Sequence, residues 1–515
     1  MLNTKHALYC ASALVLALAT SPAHAQKSKD TLRVAFFDPI STVDQFFDPK
    51  PETSFLIRGI FNSLVDIDIE NGKVVPSLAE SWTRVDDKTL EFKLRKDVKF
   101  HDGSAFDADD VVYTVTWLID PATKLRFKNN FEFIERAEKV DQYTVRIISK
   151  QPIALDLVRI ATSLLLLPSD VHGAYENKAE FGKKPVGTGP YRVAQVDTNA
   201  GIVLIKGADF FNPGHGNTKA TIGRIQVMPV PEVQTQIAHF IRGELDLMHD
   251  IPKDQMEAMI ANPDIKVTPS QGLAYFYMNF DSAGRSGFKP FTDIRVRKAV
   301  SMALDRDSLA KNILQVGNDD SVKPMDVVCL KIQQACAWSS KPPAHNVAEA
   351  KKLLREAGYA DGFDLKITTQ PGAHELGEAI AGELRKVGIR ATLDKVTMGV
   401  YRKKQTDGEL QSLVALYTSG GLPDASALLN FYFDGGGRDY ARDPQLTKWA
   451  DEGERIMDPK KREDLYRRAF DRMNEMSYVL PLTNKPTFWL HTKEVEVVPG
   501  SLAPIGGEPN FVHWK

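Results

Sequence analysis

The sequence lacks the common catalytic signatures. It contains no Gly-x-Ser-x-Gly nucleophile elbow, no phosphate-binding loop and no dinucleotide-binding fingerprint. It also lacks a basic excess that would point to nucleic acid, because 65 Lys and Arg are balanced by 67 Asp and Glu, for a formal net charge of −2. With 43% hydrophobic and 26% charged residues, the composition is that of a globular protein, and 515 residues predict two or three lobes.

Long apolar runs are missing too, apart from one at the N-terminus. Lys5 precedes an apolar run over residues 7–20, and Ala23-His24-Ala25 follows as a small-x-small cleavage site. The run is shorter than the roughly 20 residues needed to span a bilayer, which favours a cleaved signal peptide over a membrane anchor. We therefore predict a signal peptide over residues 1–25 and an exported mature chain that begins at Gln26.

Cysteine is scarce, with three in the whole chain. Cys10 falls in the predicted signal peptide, which leaves Cys329 and Cys336 in the mature protein. In an oxidising compartment we expect these two to form a disulfide, which by chain entropy would contribute about 2.5 kcal/mol as a local staple. Their spacing is not that of a Cys-x-x-Cys redox motif, and no third ligand nearby suggests a metal site.

One stretch, residues 74–115, carries an unusually clear local pattern. Leu90, Phe92 and Leu94 alternate with charged residues, which predicts a half-buried strand. A turn at residues 101–104 follows, and Asp107 is the predicted N-cap of a helix that ends at Asp120-Pro121. The predicted buried stripe of this helix consists of Val111, Val112, Val115, Leu118 and Ile119.

The same stretch resembles the signature region of the extracellular solute-binding proteins of family 5, the dipeptide, oligopeptide and nickel type receptors of bacterial ABC importers. The resemblance rests on the runs P-S-L-A-E-S-W, F-K-L-R-K-D-V-K-F-H-D-G and A-D-D-V-V-Y. Further matches follow in the family's order and cover nearly the whole mature chain. They are Gly187-Thr188-Gly189-Pro190-Tyr191, the Gly-Glu-x-Asp start at residues 243–247, the first crossing strand at 275–280 and the helix at 291–309.

The resemblance implies an α/β fold, that of a two-lobed periplasmic binding protein of cluster C type with an extra subdomain in the first lobe. Two crossing strands join the lobes, which close on the solute about a hinge. The implied boundaries are 26–66, 185–272 and 486–515 for the core of lobe I, 67–184 for its extra subdomain, and 273–485 for lobe II. The implied partners are a small-molecule or peptide-like solute and an ABC permease complex in the inner membrane. We expect a periplasmic monomer without cofactor, bound metal or nucleic acid.

The resemblance also places candidate ligand-binding residues. Peptide-binding relatives use an aromatic residue and a following Asp that pairs with the peptide's α-ammonium. Here Tyr417 takes the aromatic position, but Gly420 stands where the acid should be, and Asp424 could replace that acid only if the loop folds back. Rough alignment puts His374 or Glu375, and no Arg, where relatives hold the peptide carboxylate. The full predicted set is Ser41, Thr42, His374, Glu375, Tyr401, Tyr417, Gly420 and Asp424.

These departures leave several solutes open. An ordinary dipeptide would bury charged ends without partners, so an opine, a modified peptide or an amide-rich compound fits as well. A metal-chelate or haem carrier of the same fold would be expected to show His or Met clusters. A zinc hydrolase would need His where Glu378 stands in the His374-Glu375-x-x-Glu378 run. Each of two candidates also has an alternative to a binding role. Tyr417 would then pack in the core, and His374 would be a surface residue of its helix.

Overall fold

The computed structural model describes residues 29–48, 50–214, 220–418, 422–500 and 507–515. The predicted signal peptide and the predicted ligand-binding Gly420 lie outside these described residues. Within the described part of the chain, none of the helices is both long and apolar enough to cross a membrane.

The strands, in chain order, are β1 Thr31–Phe36, β2 Val65–Ile67, β3 Val74–Pro76, β4 Ala79–Asp86, β5 Thr89–Leu94, β6 Ile134–Asp141, β7 Thr144–Ser149, β8 Tyr191–Asp197, β9 Gly201–Lys206, β10 Arg224–Pro229, β11 Leu247–His249, β12 Ile265–Phe280, β13 Asp364–Thr369, β14 Arg390–Lys395, β15 Ser412–Thr418, β16 Val479–Thr492, β17 Val495–Val497 and β18 Val512–Trp514.

The α-helices are α1 Pro51–Ile60, α2 Ala108–Ile119, α3 Asp156–Ser163, α4 Ser169–Ala174, α5 Val233–Ile241, α6 Lys253–Met259, α7 Ile294–Ala303, α8 Arg306–Leu309, α9 Val347–Glu356, α10 His374–Arg385, α11 Met398–Asp407, α12 Ala425–Phe433, α13 Pro444–Gly453 and α14 Pro459–Glu475.

One ten-stranded sheet runs through the molecule in the order β14-β13-β15-β12-β16-β11-β1-β10-β9-β8. The long strands β12 and β16 lie at its centre and pair antiparallel along their length. Residues 265–271 pair with 486–492, residues 275–279 pair with 479–484, and the register breaks between Gln271 and Tyr275. The break divides the sheet into lobe I, with β1 and β8–β11, and lobe II, with β13–β15. This is the predicted α/β arrangement of two lobes joined by crossing strands.

In both lobes, the strands run so that their carboxyl ends lie near this break. In lobe I, β1 runs parallel to β10 and β11, and His249 at the end of β11 lies opposite Trp489. In lobe II, β13 and β14 run parallel to β15, whose last residue Thr418 lies opposite Ala274. The carboxyl ends of β1, β11, β13 and β15 therefore point towards the break from opposite sides.

The predicted strand-turn-helix stretch forms part of a separate four-stranded sheet, β4-β5-β7-β6, which shares a hydrophobic core with lobe I. Leu90, Phe92 and Leu94 are all buried, as their alternation predicts. Asp107 caps α2, and Asp110 returns the capping-box bond to the Asp107 N–H. Of the predicted stripe on α2, Val111, Val115 and Leu118 are fully buried, while Val112 and Ile119 are half-buried.

Two of the sequence matches meet in one contact. The His101 ring accepts a hydrogen bond from the Gly187 N–H at Nδ1 (3.2 Å) and donates one from Nε2 to the Gly189 carbonyl (2.9 Å). Burial lowers the pKa of His101 and so favours the neutral ring that this pair of bonds requires. A Cβ on Gly187 or Gly189 would meet the backbone of Ile60 or Gly59. These glycines therefore allow a close approach of two backbones, and neither has the left-handed φ that a glycine turn often needs.

Candidate functional site

The space between the two converging edges is the candidate site. Ligands of open α/β sheets bind in the crevice beyond the carboxyl ends of the strands. Here the loops after β1 and β11 border it from lobe I, and the loop after β13 and the end of β15 border it from lobe II.

On the lobe II side, the predicted Tyr417 lies at the end of β15 but within an aromatic cluster. Its side chain is 5% exposed, stacks on Tyr275 with 5.0 Å between ring centroids, and meets the edge of Phe431 at 4.8 Å. Tyr401 is buried in the same cluster, and burial raises its pKa to about 12. This geometry favours the core alternative for Tyr417, with Tyr401 behind it.

His374 and Glu375 open α10 directly after the loop that follows β13. His374 is half-buried, and its Nδ1 lies 2.8 Å from the Thr369 hydroxyl, while Glu375 is exposed. Both stand at the carboxyl edge of lobe II, where the sequence comparison puts the holder of a solute carboxylate. Gln370, which sequence reasoning missed, is buried and donates from Nε2 to the Leu416 carbonyl (3.0 Å), which ties this loop to β15.

Asp424 is fully buried, and its carboxylate already has a charged partner. Arg462 of α14 donates to both carboxylate oxygens at 2.7 and 2.6 Å. The same carboxylate caps α12 through the Ser426 N–H (2.8 Å). A solute ammonium at this carboxylate would therefore have to compete with a bidentate arginine in a dry environment. The replacement of the missing acid by Asp424, which the sequence left conditional on the loop, has no support in this geometry.

Ser41 and Thr42 lie in the loop after β1, as predicted. Ser41 is exposed. Thr42 is turned towards the segment before β8, because its hydroxyl occupies the place that a side chain on Gly182 would take, and the Val43 N–H donates to the Gly182 carbonyl (2.8 Å). The loop is thus held to lobe I at its middle, with Ser41 left free to face solvent.

A charged group at the lobe I edge was not found from the sequence. His249 is 2% exposed, and its Nδ1 lies 2.9 Å from the Asp250 carboxylate. Lys485 of β16 contacts the other oxygen of Asp250 at 3.3 Å. Although burial acts in the opposite direction, Lys485 and His249 hold the pKa of Asp250 well below its ordinary value. The available signal was a His-Asp pair at the end of a strand, directly after the Gly-Glu-x-Asp match.

The Cys329–Cys336 loop contacts both lobes. The structure joins the two cysteines in a disulfide with 5.9 Å between their Cα atoms. Within the loop, Gln334 donates from its side chain to the Gly72 carbonyl of lobe I (2.9 Å) and from its backbone to the Pro423 carbonyl of lobe II (2.8 Å). The disulfide therefore constrains a segment that spans the two lobes.

A second contact between the lobes is centred on Glu454, which follows α13. The Ala154 N–H donates to the Glu454 carbonyl (2.9 Å), and Arg159 of α3 lies 3.6 Å from its carboxylate. Asn430 of α12 donates to the same carboxylate at 2.6 Å. These contacts join the two lobes at a point outside the crossing strands.

Metal binding has no support among the residues that the structure describes, since no group of three or more His, Cys, Asp or Glu is placed to hold an ion. The His374-x-x-x-Glu378 pair does not form such a group either, because Glu378 is exposed and pairs with Lys395 at 2.5 Å.

Known proteins resemble this chain in both sequence and fold. It is 25% identical over 492 residues to di/tripeptide-binding protein 1 of Pseudomonas aeruginosa (strain UCBPP-PA14), covering 88% of each chain. It is 28% identical over 415 residues to the glutathione-binding protein GsiB of Escherichia coli (strain K12), covering 79% of this chain and 78% of that one. The crystal structure of NikA from Brucella suis in complex with Fe(III)-EDTA superposes with a TM-score of 0.82 at 22% identity, covering 94% of this chain and 100% of that chain.

A family model covers most of the chain. Residues 73–440 match the middle region of the bacterial extracellular solute-binding proteins of family 5. The match starts just before the signature strand-turn-helix and ends after α12, and so includes both sides of the candidate site. The chain belongs to the family 5 bacterial extracellular solute-binding proteins.

Proposed function

We propose that this protein is the periplasmic receptor of an ABC importer, which captures a peptide-like solute by closing its two lobes and delivers it to a permease complex in the inner membrane. The observation that carries the proposal is the convergence of strand carboxyl ends from two lobes on one break in the crossing strands. Sequence relatives that bind di- and tripeptides or glutathione support the peptide-like class. We further propose that the mature chain starts after the signal peptide, acts as a monomer and binds without turnover.

The hinge in this proposal lies at the register break. Gln271 accepts a hydrogen bond from the Asn484 side chain (2.6 Å), and Asn484 also exchanges bonds with Lys323 and Ser321. Rotation about this point changes the backbone of a few residues and leaves each half of the sheet intact. We therefore keep the lobe boundaries after residue 272 and before residue 486 as part of this proposal.

Lobe II differs from that of ordinary peptide receptors in the residues that would hold the solute's α-ammonium. Asp424 is committed to Arg462, and Tyr417 is packed away from solvent. The usual anchor for an α-ammonium is therefore missing among the described residues of this lobe. A modified peptide or an opine, in which the charges sit elsewhere, suits such a site better than a free dipeptide.

The experiment that tests the receptor function is a ligand screen on mature protein that has been unfolded and refolded to strip co-purified solute. A solute at about a hundred times its dissociation constant adds about 2.7 kcal/mol to stability and raises the melting temperature by a few degrees. Dipeptides, tripeptides, glutathione, opines and metal chelates should be compared, and native mass spectrometry of unstripped protein gives an independent identification. A protein that binds none of these classes and co-purifies with no solute would contradict the proposal.

The contact at Glu454 should favour closure. Replacing Arg159 by Gln removes the ion pair between the lobes, and we expect solute affinity to fall about two- to fivefold because partly exposed ion pairs contribute up to about 1 kcal/mol. The melting temperature of the empty protein should change little. Calorimetry is run on this variant and on R455Q, which removes the exposed pair between Arg455 and Asp451 of α13 as a control for the loss of an arginine alone. Equal affinity for wild type and R159Q would mean that closure does not use this pair.

A further inference from the structure

Two buried polar side chains stand together over the carboxyl end of β1. Glu52 lies in the first turn of α1, whose Phe55 packs on Phe36 with 5.4 Å between ring centroids. His249 ends β11, and its ring lies 5.3 Å from the same Phe36. Because α1 begins and β11 ends at the edge that faces the break, both residues border the candidate site from lobe I.

Glu52 is a buried carboxylate without a cation. It is 9% exposed, and among the described residues its Oε2 has no hydrogen-bond partner and no Lys or Arg lies within ion-pair distance. Burial raises the pKa of Glu52, nearby Asp38 adds to this effect, and His249 and Lys50 act against it. Two fully buried carboxylates of this chain, Asp246 and Asp424, are paired with Arg33 and Arg462, and the buried Asp439 accepts three backbone N–H bonds instead. Burying an unpaired carboxylate is costly, which is a reason to look for a ligand that offsets the cost.

His249 presents a second buried polar atom without a partner at the same place. A carboxylate can only accept, so Nδ1 donates to Asp250, and Nε2 is the ring nitrogen on the other side. That Nε2 is buried and lacks a partner among the residues the structure describes. Glu52 Oε2 and His249 Nε2 are thus two buried polar atoms on elements that both pack against Phe36, and neither has a partner among the described residues.

We propose that lobe I holds a cationic nitrogen group of the solute, an ammonium, amidinium or guanidinium, between Glu52 and His249, with Asp38 at the entrance. A group with N–H donors and a positive charge would satisfy the unpartnered Glu52 oxygen and neutralise the buried carboxylate beside the His249 ring. The inference rests on the proposed receptor function and names the charge of its solute. It also accounts for the lack of an available acid beside Tyr417 among the residues that the structure describes, since the cation would be held by the opposite lobe.

The test compares E52Q with wild type on paired probes. Stripped mature protein is titrated with L-alanyl-L-alanine, glutathione and putrescine, each beside its fully N-acetylated form, by thermal melting and calorimetry. For at least one pair we expect the free amine, and not the acetylated form, to raise the melting temperature of wild type by several degrees. E52Q should bind that amine at least tenfold more weakly. Its empty form should melt no lower than wild type, because the amide removes an unpaired buried charge. E70Q, in an exposed turn of lobe I, is the matched control and should bind as wild type does.

Each other outcome overturns a definite part of this inference. Equal binding of the amine by E52Q and wild type would remove Glu52 from the site, and equal binding of free and acetylated probes would remove the cationic group. If wild type binds only amine-free solutes, such as a chelate or an organic acid, the receptor function stands and the cation subsite is wrong. If it binds no solute of any class, the receptor function fails, and the subsite fails with it.

Discussion

Replacing Arg462 by Met should lower the free energy of unfolding by about 3–5 kcal/mol, because it leaves the Asp424 carboxylate buried without its partner. Both side chains are within the core of lobe II, at 6% and 0% exposure, and two short hydrogen bonds join them. Arg462 also donates to the Gly453 carbonyl at the end of α13 and lies over the Tyr466 ring. Its loss would therefore loosen α12, α13 and α14 together.

Urea unfolding of the empty protein measures this effect. R455M is the control, since Arg455 and Asp451 are both more than half exposed and such pairs contribute at most about 1 kcal/mol. The double variant D424N/R462M should recover part of the stability, because it removes the uncompensated charge. A normal unfolding curve for R462M together with a loss of solute binding would show instead that the pair serves the ligand.

Replacing Tyr417 by Ala should destabilise the empty protein by about 3–5 kcal/mol, as expected for a large aromatic removed from a core. The centroid of the Tyr417 ring lies 5.0 Å from that of Tyr275 and 4.8 Å from that of Phe431. Burial raises the pKa of Tyr417 well above its ordinary value. Any effect on solute binding would then come mainly through the disturbed end of β15.

Two controls make this measurement specific. Y417F keeps the ring contacts and should lose much less stability than Y417A. F127A removes an aromatic that is about half exposed and should change stability little. A Y417A protein that melts like wild type but binds its solute weakly would show that Tyr417 lines the pocket, as the family resemblance suggested.

Much of the local structure could be predicted because it depends on neighbours in sequence. The alternation of Leu90, Phe92 and Leu94, the Asp107 cap and the end of α2 at Ile119 all follow from rules that act over a few residues. The family resemblance then supplied the order of elements and the two crossing strands. It did not explain why the matched motifs are needed. One reason is the contact of His101 with Gly187 and Gly189, which joins residues more than 80 positions apart and so is seen only in the folded chain.

The binding residues were harder to predict, for a physical reason. A carboxylate on a loop looks the same in sequence whether it will meet a solute or an arginine of its own chain. Asp424 pairs with Arg462, which lies 38 residues further along the chain, whereas Glu52 has no such partner among the described residues. Likewise, an aromatic at the end of a strand can line a pocket or fill a core, and only the packing of Phe431 and Tyr275 against Tyr417 distinguishes these cases.

By itself, the sequence determined the class of this protein, its signature strand-turn-helix, the Asp107 cap and its first crossing strand, since each depends on periodicity, short-range hydrogen bonding or an ordered set of motifs. Only the tertiary structure decided which charges are neutralised within the chain and which buried polar atoms at the hinge-facing edge have no partner among the described residues. Charge pairing in a buried site depends on distances of 3–4 Å between residues that are far apart in sequence, and those distances exist only after the lobes have folded and met.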